Sequence, residues 1–237
     1  GAEIDFTLST GEQVTVFTTR PDTLFGATYM VLAPEHELVA KNQSNITNWS
    51  EVSAYIETAA SKKEMDRLDD TKEKTGVKLD GITATNPASG EEIPVYIADY
   101  VLASYGTGAI MAVPAHDERD HAFATKFGIE IRNIIEPGSH YGGEYPEHTV
   151  VRTEPGILCN SSQFDGMSSE EAKRAIVENV GGRMTNTYKI RDWVFSRQRY
   201  WGEPIPVVHT EDGTVYPIAT EQLPVVLPEV EHYEPAG

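Results

Sequence analysis

Cysteine is nearly absent: Cys159 is the single one in 237 residues. One thiol cannot form an internal disulfide, and no CxxC pair is present to hold zinc or exchange thiols. A reducing, cytoplasmic setting without a thiolate metal site is therefore expected. A His-Glu-x-x-His zinc motif is lacking too, because His36-Glu37 is followed at the required position by Ala40. No apolar run approaches the ~20 residues of a membrane span and no signal-like segment leads the chain, so no membrane partner is expected. Basic residues are scarce, 19 against 37 acidic, giving a formal charge of −18. That balance argues against an independent grip on nucleic acid, since phosphate affinity rests largely on Lys and Arg. Repeats and low-complexity tracts are missing as well.

What is present reads as a folded chain of mixed type. Hydrophobic residues make up 39% and aromatic residues 9%, enough at this length for one large domain or a domain with an appendage. Residue 1 already lies in a strand-like run, so a piece excised from a longer protein is expected. Residues 2–8 and 13–17 alternate around Ser9-Thr10-Gly11-Glu12, which predicts a hairpin. Thr18–Thr23 follows as a polar loop, and Leu24–Ala33 as an apolar strand. Trp49–Leu68 has helical spacing, with Trp49, Val52, Ile56, Ala59 and Ala60 on one stripe and Asn48 or Ser50 as N-cap. The charge run Lys62–Lys74 reads as a solvated face. The seven histidines, His36, His116, His121, His140, His148, His209 and His232, are expected mostly at the surface.

Short strands are predicted over Gly81–Thr85, Ile93–Ala98, Ala109–Val113 and Ile131–Ile135. Helices are predicted over Asp117–Phe127 and Ser168–Val180, each followed by glycine. Pro137–Pro146 reads as a loop. From residue 183 the chain turns strand-like again, with a hairpin around Glu211-Asp212-Gly213. Many short strands with two or three helices between them predict an α/β (α+β) domain, β-barrel-like with peripheral helices, rather than a doubly wound sheet. The expected division is a main domain over 1–206 and a trailing hairpin or extended segment over 207–237.

Three stretches carry chemistry. Thr18-Thr19-Arg20-Pro21-Asp22-Thr23 hangs three hydroxyls, a guanidinium and a carboxylate on the end of a strand. Pro21 fixes one torsion and Asp22 can bond back to nearby amides, so a rigid loop is expected. Hydroxyls that both donate and accept suit a polar substrate and a water. An ordinary capped turn accounts for the composition equally well. The second stretch runs from Gly106 to Asp120. Its Gly106-Thr107-Gly108 is a poor phosphate signature, because the glycines precede a strand and no Lys follows. On the predicted helix Asp120 shares a face with Phe123, Ala124 and Phe127, at spacings of three, four and seven. A carboxylate at the edge of an apolar wall suits a cation, since low dielectric strengthens the pair. Asp117 and Glu118 fit the first-turn acids that the helix dipole favours. The third stretch, Arg191–Pro206, interleaves three arginines with two tryptophans and a tyrosine. A packed aromatic cluster and a strip that holds a nucleic-acid end both fit it.

Together these stretches resemble the editing domain inserted in the class I aminoacyl-tRNA synthetases for leucine, valine and isoleucine. Thr18–Thr23 is similar to the threonine-rich motif, Gly106–Asp120 to the second editing motif with its terminal aspartate, and Ser196–Pro206 to the return segment toward the catalytic core. The likeness covers about 18–206, and PDTLFG, AHDERDHAFA and RQRYWGEPIP look most like bacterial leucyl-tRNA synthetases, with the valyl enzymes next. HIGH and KMSKS signatures are not found, so amino-acid activation is not expected of this segment. ATP and Mg would serve the catalytic core of a full-length enzyme, while editing itself is expected to need no cofactor or metal.

The resemblance implies hydrolysis of the ester joining a wrong amino acid to the terminal adenosine of tRNA(Leu). One methylene separates competitors by only about 1–3 kcal/mol, a limit for which synthetase editing is itself the standard illustration. By position, Asp120 would bind the α-ammonium, and Thr18 and Thr19 the substrate or hydrolytic water. Thr23 would block the leucine side chain, and Arg20 would support the loop and the adenosine end. Tyr105, Met111 and Val113 match pocket-lining positions, with Asp117 and His116 beside them as further substrate-binding candidates. His116 is also the one candidate for a general base. No Ser/His or Cys/His nucleophile pair is seen, which favours direct attack by water. The expected partners are the mischarged tRNA(Leu) 3′ end and the rest of the synthetase chain, in a monomer. The negative charge is then reconciled, because the site need hold only an acyl-adenosine tip. The rival readings are a non-catalytic holder of the tRNA 3′ end and a small-molecule hydrolase or nucleotide-binding domain built on Gly106-Thr107-Gly108.

Overall fold

Alternation of apolar and polar residues shapes the first hairpin. In the computed structural model, β1 (Ala2–Leu8) pairs antiparallel with β2 (Gln13–Thr18). Their inward set, Ile4, Phe6, Leu8, Val14 and Val16, is buried, as a period of two requires. The structure describes residues 1–62, 67, 74–103, 106–136, 151–186, 205–210 and 213–226. Tyr105, the expected loop 137–146 and the basic-aromatic positions 191–204 lie outside them. Two compact units are formed, Gly1–Thr187 and Tyr188–Gly237.

The apolar run after the threonine stretch is not one strand. Pro21–Gly26 coils into a 3-10 turn, and only Tyr29–Leu32 is extended, as β3. Pro21 sits at the start of the turn, where its fixed φ suits helical entry and its missing N–H loses no bond. β3 is buried on both faces. Met30 and Leu32 enter the main core with Phe6, Val16, Leu79 and Met111. Tyr29 and Val31 enter a second core with Tyr96, Tyr100 and Phe123.

Three further strands complete the sheet: β4 (Gly76–Thr85), β5 (Glu92–Ala98) and β6 (Ala109–Ala112). The order is β2-β1-β4-β5-β3-β6, and β7 (Arg183–Met184) adds to β1. The β3–β5 ladder is parallel. Edge strands β2 and β6 approach each other, yet no ladder joins them among the described residues. The fold is thus a mixed α/β sheet with peripheral helices, and barrel closure is not found. The strand expected at Ile131–Ile135 is also absent. Ile135 makes only an isolated bridge to Leu158, and the Ile134 amide donates to the His116 ring instead of to a neighbouring strand.

The helices follow their caps. After the short α1 (Glu37–Lys41), α2 (Trp49–Ala60) presents Val52 and Ala59 to the core, while Ala60 is exposed. It stops eight residues short of the expected Leu68. Asn48 precedes it but serves β4, donating to the Lys78 carbonyl at 2.9 Å and accepting the Asp80 amide at 3.0 Å. Of the charge run 62–74 only three positions are described: Lys62 and Arg67 are ion-paired with Asp99 and Glu35, and Lys74 is buried; the expectation for the rest of the run lies outside the described residues. α3 (Glu118–Phe127) is capped by the Asp117 carboxylate and followed by Gly128. α4 (Ser169–Asn179) opens with a reciprocal Ser168–Glu171 capping box and packs against the 3-10 turn. In the second unit, β8 (Val207–His209) and β9 (Val215–Pro217) form the antiparallel hairpin expected there. No helix among the described residues is long and apolar enough to cross a membrane.

Candidate functional site

Two turns carry the candidate residues, and the first is the threonine stretch. β2 ends at Thr18, whose hydroxyl accepts the Arg20 amide at 2.9 Å. The Thr23 amide and hydroxyl both donate to the Arg20 carbonyl, at 3.0 and 2.8 Å. The Arg20 guanidinium grips the fully buried Asp22 carboxylate through Nε and Nη2, at 2.9–3.2 Å. Nη1 reaches across to the Thr153 carbonyl at 2.7 Å. A forked, charge-assisted grip of this kind fixes the turn. Thr23 is fully buried, Thr18 is half-buried and Thr19 is exposed. Beneath the turn, buried Asn86 donates to the Leu24 carbonyl at 2.9 Å and accepts the Ala88 amide at 2.9 Å.

The second turn leads from β6 into α3. The His116 and Asp117 amides both donate to the Val113 carbonyl, at 2.8 and 3.1 Å. Asp117 Oδ1 accepts the Arg119 and Asp120 amides at 2.9 and 3.1 Å, so its carboxylate works as the helix cap. Asp120 Oδ2 accepts the Val113 amide at 2.9 Å, and Oδ1 lies 3.5 Å from the Tyr100 hydroxyl. The residue is only 4% exposed, with Phe123 and Ala124 wholly buried on the same helix. Burial, then the neighbouring Asp117 charge, pushes the Asp120 carboxyl up to about 7. Met111 and Val113 lie in the main core. Gly106 and Gly108 have φ of 62° and 69°, so the turn before β6 accounts for both glycines without a phosphate.

His116 joins the two turns, against the expectation of a surface residue. It is 5% exposed, with Nδ1 2.9 Å from the Arg152 carbonyl and Nε2 3.2 Å from the Ile134 amide. An amide nitrogen only donates, so Nε2 accepts and Nδ1 bears the proton. Burial pushes this histidine down to about 4, keeping it neutral. Both ring nitrogens are therefore engaged. The Arg152 amide donates to the Ala115 carbonyl at 2.9 Å, and its Nη1 to the Ile135 carbonyl at 3.0 Å.

The structure thus ties Arg20, which grips Asp22, and His116 to the Arg152–Thr153 backbone, with Met111 in β6, Val113 just after it and Asp120 in the first turn of α3. No hydrogen bond joins Asp120 to Thr18, Thr19 or Thr23. Arg152 and Thr153 had no sequence signal, because they meet His116 and Arg20 through carbonyls that every residue owns. Asn86 stands before Pro87, a pair that marks a turn, but a turn pair does not name the partner it braces. An open groove of about 560 Å³ lies elsewhere on this unit, between β5 and Gly128–Arg132, and holds none of the residues singled out from the sequence. Among the described residues, no group of three His, Cys, Asp or Glu side chains is arranged to hold a metal.

Comparison with known proteins gives the class first. The family described as tRNA synthetases class I (I, L, M and V) matches residues 166–232, and the family described as Leucyl-tRNA synthetase, editing domain, matches residues 1–181. The chain belongs to the leucyl-tRNA synthetase editing-domain family. It is 52% identical over 239 aligned positions to a leucine–tRNA ligase of Alkaliphilus oremlandii (strain OhILAs), covering 99% of this chain and 29% of that protein. A crystal structure of LeuRS from Agrobacterium radiobacter K84, in a ternary complex with tRNA and LeuAMS, matches with a TM-score of 0.62 at 31% identity. That match covers 99% of this chain and 26% of the other. The chain therefore spans under a third of the length of the curated relative.

Proposed function

We propose that this domain hydrolyses the ester between a noncognate amino acid and the 3′-terminal adenosine of tRNA(Leu). The family match over residues 1–181 carries the reading, and the chemistry of the two turns supports it. Asp120 offers a carboxylate in low dielectric, where an arriving α-ammonium favours the ionised form and pairs strongly. The Val113 amide keeps one of its oxygens oriented. Thr18 and Thr19, the accessible hydroxyls of the loop, orient the attacking water. Thr23 has its hydroxyl engaged by the Arg20 carbonyl, so it excludes leucine by bulk rather than by a hydrogen bond. Met111 and Val113 lie beside Asp120 as the apolar side of the pocket, Asp117 supports it as the cap of α3, and Arg20 holds the loop; the resemblance adds Tyr105, which lies outside the described residues. Water adds to the ester carbonyl, the C–O bond to the ribose breaks and the released ribose oxygen takes a proton. Free amino acid and uncharged tRNA leave.

The same reading makes the sheet a barrel-like support, in line with the approach of β2 to β6. The remainder of a monomeric, cytoplasmic synthetase grips the body of the tRNA. The test is deacylation of tRNA(Leu) charged with isoleucine or methionine by the full-length synthetase bearing this domain. The parent is expected to release the amino acid, and Asp120→Ala to lose most of that activity while leucylation continues. Binding of mischarged tRNA without any release would overturn the hydrolytic reading in favour of a passive 3′-end holder.

A further inference from the structure

We propose that His116 is a positioning residue, and that with the backbone of Arg152 and Thr153 it forms a clasp holding the threonine turn in register with the Asp120 turn. The inference rests on the editing reading above and names what aligns its two halves. Successive carbonyls of one short segment accept from both turns: Arg152 from His116 Nδ1 at 2.9 Å, and Thr153 from Arg20 Nη1 at 2.7 Å. The segment is itself tied down. Its Arg152 amide donates to Ala115 at 2.9 Å, and the Arg152 side chain to Ile135 at 3.0 Å. The Ile134 amide closes the circuit on His116 Nε2 at 3.2 Å.

Asp120 and the threonines make no bond to each other; the β3–β6 ladder and the Tyr29 hydroxyl, donating to the Asp120 carbonyl at 3.0 Å, join the strands behind them, and this bar ties the turns themselves. The same geometry argues against a general base. A base needs a ring nitrogen free to take a proton from water, and both are in use. Protonating Nε2 would set one donor against another, the Ile134 amide. A misplacement near 1 Å can cost about 100-fold in rate, so loosening the clasp should act on turnover more than on the grip for tRNA.

The experiment uses the full-length synthetase bearing this domain and mischarged tRNA(Leu). His116→Asn keeps an amide donor near the place of Nδ1. His116→Gln puts its polar group near Nε2 and loses that donor, and His116→Ala loses both. Deacylation kcat and KM are measured, with leucylation and melting temperature as controls. The Asn variant is expected to stay within about threefold of the parent, while Gln and Ala lower kcat by about 10- to 100-fold with KM moving under about twofold. Equal collapse of Asn and Ala, both folded, would mean that the imidazole itself transfers a proton, and the proposal fails. It fails too if His116→Ala turns over like the parent, whatever its melting temperature. Should His116→Ala not fold, Arg20→Lys weakens the clasp from the other side, since one ammonium nitrogen replaces the three guanidinium nitrogens that reach Asp22 and Thr153; full turnover in that variant also overturns it. A parent enzyme that releases nothing would instead strike at the editing reading.

Discussion

Asp120 carries an ionisable group in a place that disfavours its ionised form. Its carboxyl rises from 3.8 to about 7 on burial, so between those values the folded state keeps a proton that the unfolded chain has released. Stability tied to this group is therefore full below pH 3.8 and falls as pH rises through 7. At ~1.4 kcal/mol per pH unit the penalty approaches ~4 kcal/mol in alkali. Asp120→Asn, which can still accept the Val113 amide, is expected to melt higher than the parent at pH 8 and about equally at pH 4, while losing most deacylation. Thermal melts at the two pH values check this, and a variant that melts lower at pH 8 refutes it. The same ionisation should appear in the parent's deacylation as an acid limb near pH 7, absent from the Asn variant. Thr23→Ala removes bulk without freeing a buried charge. It should let the domain cleave correctly charged leucyl-tRNA(Leu), and intact leucyl-tRNA after incubation would remove Thr23 from the sieve.

The 3-10 turn at Pro21–Gly26 depends on its neighbours more than on its own propensity. It packs on α4, and Asn86 reaches up from the β4–β5 turn to the Leu24 carbonyl. Asn86→Ala would strip that support and leave the Ala88 amide without its acceptor, a loss of roughly 1–3 kcal/mol. A melting temperature lower by about 3–10 °C is expected, and an unchanged one would show that the brace is idle. At this level the sequence was legible wherever local chemistry decides. The β1–β2 hairpin follows from strict alternation, and α3 and α4 from Asp117 and the Ser168–Glu171 box. It misled where partners decide. Leu24–Ala33 looks like one strand because burial on all sides makes an apolar run, whichever backbone shape it takes. Ile131–Ile135 has strand-forming residues, but its Ile134 amide is taken by an imidazole.

For the molecule as a whole, charge sets the division of labour. With 37 acidic and 19 basic residues, the chain has little net attraction for a polyanion, and on the proposed reading contact would be confined to the acyl end. We expect residues 1–237 alone to deacylate mischarged tRNA(Leu) far less efficiently than the full-length synthetase, chiefly through a higher KM. Equal kcat/KM for the two would contradict that dependence.

Composition and order of residues were enough to place three editing-type stretches, an acid on an apolar helix face and a hydroxyl-rich bend, because each is a matter of local spacing. Only the folded chain could decide that His116 is buried and neutral, and that the two turns meet through the carbonyls of Arg152 and Thr153. Those outcomes depend on backbone groups brought together across 133 residues. A carbonyl has no signature in a sequence until the fold gives it a donor.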